Sequence, residues 1–306
     1  MRAVPISRRA FLGVAALAAG CATTEPAAPR KPSDPTPTPT SSVVAANDGL
    51  AALEGKFAAR LGVYAVDTGT GATIAYRADE RFAFCSTFKG LAAAAVLHRN
   101  PLSHLDTVVT YTEADLMKSA VVTRAHVAEG MTIRAVCDAA VRYSDGTAGN
   151  LLLRDLGGPA ELTAYVRGLG DTVTRMDRIE PTIVSAVPGD PRDTTSPRAI
   201  GDDYRDIVLG DALPADKRAF LRDLLARNAT GAGARRVRAG LPKDWTVADK
   251  TGTGDFGTIN DIAIAWPPAS APLVIAIMSS KATEDAEYDQ ALIAEAAAHV
   301  ATTLAG

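Results

Sequence analysis

The sequence predicts a mixed α/β (α+β) fold: an antiparallel five-stranded sheet built from both ends of the chain, flanked by helices, with an all-α lobe inserted. Three observations predict it. β-prone runs cluster in two places, residues 62–77 and 246–280. Nearly everything between them carries apolar residues at three- and four-residue steps, the mark of amphipathic helices. The turns between successive β-prone runs are short, which suits antiparallel neighbours, since parallel strands need long crossovers.

Taken in order, residues 1–21 read as an export signal outside the fold. "SRRAFLG" carries a twin arginine before Phe-Leu, and the apolar run that follows is too short to span a bilayer. "LAAGC" resembles a lipoprotein box, which would make Cys21 a lipid-bearing residue; Ala18 stands where such boxes place a large aliphatic residue, with Leu17 one position further back. Residues 22–47 are rich in Pro, Thr, Ser and Ala, with little apolar area to bury, so they read as a linker. Residues 48–306 then form the folded domain.

Within it, "LAALEGKFAARL" (Leu50 to Leu61) predicts an amphipathic helix, and "GVYAVDTGTGATIAYR" (Gly62 to Arg77) a hairpin around "TGTG". A lone hairpin is marginal in water, so it must find partner strands. These are "TVADKTGTG", "TINDIAIAW" and "PLVIAIMSS", at 246–254, 258–266 and 272–280. Helical periodicity marks 86–98, 132–143, 147–156, 159–168, 196–209 and 214–228, and a last helix closes the chain. Thr132, Ser196-Pro197 and Pro214 supply starts, and Gly157, Gly170 and Gly210 supply stops. A cleft is expected where the inserted lobe meets the sheet.

The 306 residues are 47% apolar and 22% charged, with a net charge of −3. That balance offers no electrostatic case for nucleic acid or an anionic membrane surface. His98, His104, His126 and His299 are scattered without metal-ligand spacing, so neither metal nor cofactor is expected. Cys85 and Cys137 are expected to be free, buried thiols.

The chemistry lies in four fragments. "CSTFKG" places Ser86 three residues before Lys89, about one helical turn, so both lie on one face and the amine can take the serine's proton. "YSDGTAGN" presents Ser144 and Asp145 in a turn between helices, and "DKTGTG" sets Lys250 in a strand. "RIEPTIVSAVPGDPRDTTSP" (178–197) has no periodicity and carries Glu180; a loop of that length inside a compact domain is usually functional. Alone, each fragment is ordinary. In the order S-x-x-K, S-D-x, E-P, K-T-G they resemble the class A β-lactamases, most of all the mycobacterial and related actinobacterial members. The resemblance runs from about residue 50 to the C-terminus and implies a serine β-lactamase/transpeptidase-like fold.

It further implies hydrolysis of the β-lactam amide of penicillins and cephalosporins through a serine acyl-enzyme, conferring resistance. Ser86 would be the nucleophile, and its backbone N–H with that of Thr253 would form the oxyanion hole. Lys89 could act as base if burial beside Lys250 lowers its pKa. Ser144 would pass a proton to the leaving nitrogen, supported by Lys250, and Glu180 would activate the hydrolytic water. Whether Lys89 or Glu180 is the acylation base is left open. Thr251, Thr253 and Gly146 would line the substrate site, with Arg236 forking onto the substrate carboxylate. Arg178 and Asp193 would pair across the neck of the Glu180 loop.

Two positions depart from the pattern. Gly146 stands where most members have asparagine, a feature the mycobacterial members share. Val184 stands where asparagine helps Glu180 hold the water, and an isopropyl group cannot hydrogen-bond. A cell-wall D,D-peptidase would share Ser86, Lys89 and Lys250 but leaves Glu180 unexplained. A β-lactam receptor would use Val184 to trap the adduct. A generic esterase would show G-x-S-x-G, which does not occur. A periplasmic or cell-envelope monomer acting on small molecules, lipid-anchored through Cys21 or secreted, is the expectation.

Overall fold

The computed structural model describes residues 47–305. The expected signal, Cys21 and all of the expected linker except Asn47 lie outside them. Asn47 opens a helix rather than closing the linker.

That helix, α1 (Asn47–Phe57), is shorter at its far end than its periodicity predicts. Ala58 turns into the left-handed region at φ 46°, and Arg60 and Leu61 join the sheet opposite Ser280 and Ser279. Tertiary pairing thus overrides the helical pattern of the last residues. The hairpin follows as β1 (Arg60–Asp67) and β2 (Thr73–Tyr76). Its turn is tied by the Asp67 carboxylate, which accepts from Gly69 N at 2.8 Å and Thr70 Oγ1 at 2.7 Å.

The chain continues through β3 (Phe82–Ala83), α2 (Phe88–Arg99), β4 (Val108–Val109), β5 (Met131–Thr132), α3 (Ile133–Arg142), α4 (Gly146–Leu156) and α5 (Pro159–Gly168). Next come β6 (Thr194–Thr195), α6 (Pro197–Val208), α7 (Ala215–Ala226) and α8 (Val237–Gly240). β7 (Thr246–Gly254), β8 (Thr258–Trp266), β9 (Leu273–Ser280) and α9 (Gln290–Ala305) complete it. The main sheet runs β2-β1-β9-β8-β7, with every adjacent pair antiparallel, as the sequence predicts. Two small pairs, β3 with β6 and β4 with β5, were not visible in the sequence.

Period-two alternation lets both faces of the sheet be buried. From β9, Val274, Ala276 and Met278 enter the larger core with α2, α3, α4 and α6. Leu273, Ile275 and Ile277 point the other way, against Leu50 of α1 and Leu292, Ile293 and Val300 of α9. Helix α2 sits at the centre, buried from Phe88 through Leu97, so an alanine-rich run apolar on every side is what its place requires. None of the described helices is long and apolar enough to cross a membrane.

Candidate active site

Ser86 lies in a short 3₁₀ turn, Cys85–Thr87, that leads into α2. The segment is clamped from several sides. Phe84 N donates to Asp193 O at 3.2 Å, and Thr87 Oγ1 to Phe84 O at 2.8 Å. Asn260 Nδ2 of β8 reaches Ala83 O at 2.9 Å and Phe84 O at 3.2 Å, while Tyr204 Oη of α6 donates to Thr87 O at 2.7 Å. Strand β7 passes so near that a Cβ on Gly252 would come within 2.6 Å of Phe84 O. Cys85 is held at φ 48°, a conformation that costs an L-residue about 1 kcal/mol and persists because these contacts over-determine it.

One turn beyond Ser86, at the second residue of α2, the fully buried Lys89 makes three contacts that join the predicted fragments. Its Nζ donates to Ser86 Oγ at 2.9 Å, Ser144 O at 2.9 Å and Glu180 Oε1 at 2.6 Å. Its stem passes under α4 because Gly149 has no side chain; a Cβ there would lie 2.6 Å from Lys89 Cε. Across the site, the buried Lys250 Nζ donates to Ser144 Oγ at 2.9 Å and Thr251 O at 2.9 Å. Burial, and next the Lys89 ammonium beside it, bring the Lys250 pKa down to about 7. Ser144 is left-handed at φ 58°, and the Asp145 side chain caps α4 by accepting from Ala148 N at 2.9 Å. Five residues from four separate fragments therefore form one hydrogen-bonded chain.

The Glu180 loop is not structureless. It carries a 3₁₀ turn, Thr182–Ser185, and its return leg pairs as β6 with β3. Arg178 and Asp193 do pair across its neck, Nε to Oδ2, and Asp193 Oδ1 also accepts from the backbone N of Asp177 at 2.8 Å and of Arg178 at 2.9 Å. Asn150 belongs to none of the four motifs S-x-x-K, S-D-x, E-P and K-T-G. Its side-chain amide donates to Glu180 O and accepts from Glu180 N, each at 3.0 Å, so it holds the catalytic candidate by its backbone. The signal was present: an amide one turn and a half beyond Asp145 on the same helix, facing the loop.

Arg236 differs most from its expected geometry. Its guanidinium is fully buried and donates to Gln290 Oε1 at 2.5 Å, Gly252 O at 2.6 Å, Asn260 O at 2.8 Å and Thr253 Oγ1 at 2.7 Å. Four of its five N–H groups are engaged, so a two-pronged fork onto a carboxylate is not available in this arrangement. The hydroxyl of the less buried Thr253 stands in front of it. Nor do its neighbours form a basic patch, because Arg238 Nε pairs with the buried Asp249 at 2.5 Å. Cys85 and Cys137 are free and buried, as expected, and burial pushes both thiols up to about 12. Among the described residues, no group of three or more metal-ligating side chains is clustered.

The model of the Beta-lactamase enzyme family matches residues 45–304. The chain is 58% identical over 264 residues to a β-lactamase of Mycobacterium tuberculosis (strain ATCC 25177 / H37Ra), covering 84% of this chain and 85% of that protein. Its fold matches the β-lactamase from Streptomyces albus G with a TM-score of 0.82 at 49% identity, over 85% of this chain and 99% of that one. The class A β-lactamase from Clostridium kluyveri DSM 555 matches with a TM-score of 0.81 at 45% identity, over 83% of this chain and 96% of that one. On fold, motif order and likeness alike, the chain belongs to the β-lactamase enzyme family, within class A.

Proposed function

We propose that the protein hydrolyses the β-lactam amide of penicillins and cephalosporins through an acyl-enzyme on Ser86, and so confers resistance to them. The observation that carries this reading is the single buried ammonium of Lys89 touching Ser86, Ser144 and Glu180 at once. In acylation, Ser86 Oγ gives its proton to the Lys89–Glu180 pair and bonds to the lactam carbonyl carbon, and the Ser86 and Thr253 N–H groups face the developing oxyanion. The C–N bond then breaks, and the departing nitrogen takes the Ser144 proton while Lys250 steadies that hydroxyl; Ser144 recovers the proton that Ser86 gave to the Lys89–Glu180 pair. In deacylation, Glu180 takes a proton from a water whose oxygen bonds to the acyl carbon. The ester bond breaks and a proton returns to Ser86, so one water is consumed per turnover.

The two candidate bases are in direct contact. Lys89 Nζ lies between Ser86 Oγ and Glu180 Oε1, so a proton leaving Ser86 can pass through it across the 2.6 Å contact to Glu180, and the two candidate bases serve one proton path. Thr253, backed by Arg236, faces the substrate carboxylate in this scheme, with Thr251 alongside and Gly146 leaving room beside Glu180.

The same reading includes export to the periplasm or cell envelope and action as a monomer on small molecules. "SRRAFLG" supports export, and "LAAGC" supports a lipid tether at Cys21. Mass spectrometry of the mature N-terminus tests both; a mature form lacking a lipid on Cys21 overturns the tether. For the activity, the full chain is given many equivalents of a chromogenic cephalosporin with EDTA present. Sustained turnover is expected. A burst of one equivalent followed by a stall would shift the assignment to a receptor or transpeptidase.

A further inference from the structure

Glu180 presents two carboxylate oxygens. Lys89 holds Oε1; Oε2 is held from the opposite side by Ser119, whose Oγ donates to it at 3.0 Å. Ser119 belongs to none of the motif fragments. It lies in the segment between β4 and β5, in the helical lobe and away from the loop that carries Glu180.

Its placement is fixed by backbone. Gly146 N donates to Ser119 O at 3.3 Å, and Val121 N to the same oxygen at 3.0 Å. The next residues are anchored by the buried Asp145 carboxylate, which accepts from Val122 N at 2.8 Å and Thr123 N at 2.9 Å. The hydroxyl occupies space that Gly146 leaves empty: a Cβ on Gly146 would overlap both Ser119 Oγ and Glu180 Oε2. Position 146 can therefore carry a side chain only if the Ser119–Glu180 hydrogen bond gives way. Val184, one 3₁₀ turn beyond Glu180, offers its own loop no side-chain hydrogen bond.

We propose that Ser119 is a positioning residue for Glu180, fixing its second carboxylate oxygen from across the cleft in the space vacated at Gly146. In doing so it stands in for the polar group that Val184 cannot provide. A carboxylate held at one oxygen can swing about its Cγ–Cδ bond. Held at both, it keeps the aim that water activation needs. The proposal rests on the hydrolase reading and deepens it at the deacylation step.

The test is Ser119→Ala and Ser119→Thr in the full-length chain, compared with the unaltered protein. A chromogenic cephalosporin is given to excess enzyme, and the acyl-enzyme is followed to its disappearance by intact mass. Ser119 is exposed, so both variants are expected to fold. Ser119→Ala should lengthen the acyl-enzyme lifetime about three- to tenfold, the range one modest hydrogen bond supplies, and Ser119→Thr should restore it. A Ser119→Ala lifetime equal to that of the unaltered protein overturns the proposal. So does a rise in KM with no change in lifetime, because that describes a rim residue touching substrate. The hydrolase reading itself fails separately, if the unaltered protein never clears its own acyl-enzyme.

Discussion

Asp193→Asn isolates the neck of the Glu180 loop without altering its shape. Asp193 is fully buried and left-handed at φ 56°, a conformation asparagine adopts readily, so the backbone need not move. Its Oδ1 accepts from two backbone N–H groups and its Oδ2 from Arg178 Nε. An asparagine amide can satisfy only one side: if its oxygen faces the backbone, its NH₂ meets the Arg178 N–H donor to donor. The loss is one charge-assisted hydrogen bond, about 1.5–3 kcal/mol, or about 10- to 150-fold in the loop's opening equilibrium. Arg178 keeps Asp190 at 3.9 Å as a second partner, which places the expected effect in the lower part of that range, about 10- to 40-fold. Hydrogen exchange reads it directly, since Glu180 N is held by Asn150 and Ile183 N by Ile179 O. Protection over 179–186 should fall by that factor, and the acyl-enzyme lifetime should lengthen as Glu180 loses its place. Unchanged loop protection beside a lowered Tm would refute the reasoning, because the pair would then support the fold as a whole rather than the loop.

Three further outcomes follow from the site. Val184→Asn should speed deacylation of slow substrates, by about two- to tenfold if the added amide holds the water with one ordinary hydrogen bond; an unchanged single-turnover deacylation rate would count against it. Lys250 is pushed down to about 7 by burial and then by Lys89, with Arg236 adding and Asp249 and Asp261 opposing, so it loses its proton in the fold long before an unfolded lysine would. Two consequences of opposite sign follow: its contribution to stability improves as pH rises from about 7 towards 10.5, while kcat/KM falls above about 7 as the charge leaves. Lys250→Arg keeps the charge and should abolish that activity limb, and persistence of the limb would assign it to another group. Arg236→Ala and Thr253→Ala should each raise KM for carboxylate-bearing substrates. Because Arg236 works through the Thr253 hydroxyl, the double variant should cost about as much as the worse single one, whereas additive losses would mean independent contacts.

The parts of the site legible in the sequence are those whose chemistry is dense at short range. Ser86 and Lys89 are one helical turn apart, Ser144 and Asp145 share a turn, and Lys250 sits in a short β-prone run bounded by turn residues. The sheet strands read well for the same reason: 246–254 and 258–266 have the bounds their β-prone runs predict. What stayed hidden depends on contacts between distant segments. Ser119 and Glu180 are 61 positions apart, and nothing local to either marks the pairing. Asn150 reads as one more polar residue on a helix until the loop lies against it. The burial of Arg236 follows from α9 supplying Gln290 and β8 supplying a carbonyl, neither of which local composition around "GARRVRAG" can reveal. The end of α1 at Phe57 is a case where a long-range ladder claimed residues whose local pattern is helical.

The central position of β9 also governs how the chain can be made. β1 is among the first elements to leave the ribosome, yet one of its two neighbours is β9, with Val63 opposite Ile277, more than two hundred residues later. Until β9 emerges, a nascent chain can hold the β1–β2 and β7–β8 hairpins only as separate pieces, each with an apolar edge open to pairing with other chains. The lobe carrying Ser86, Lys89 and Ser144 is translated before Lys250, and the loop bearing Glu180 before β8 can clamp the serine segment. Synthesis therefore ends with an obligatory late closure across the whole length of the chain, the slow, non-local kind of step. Truncations within β9 are accordingly expected to leave the sheet split into two unjoined hairpins, and so without a nucleophile in position, rather than with a slightly weakened enzyme.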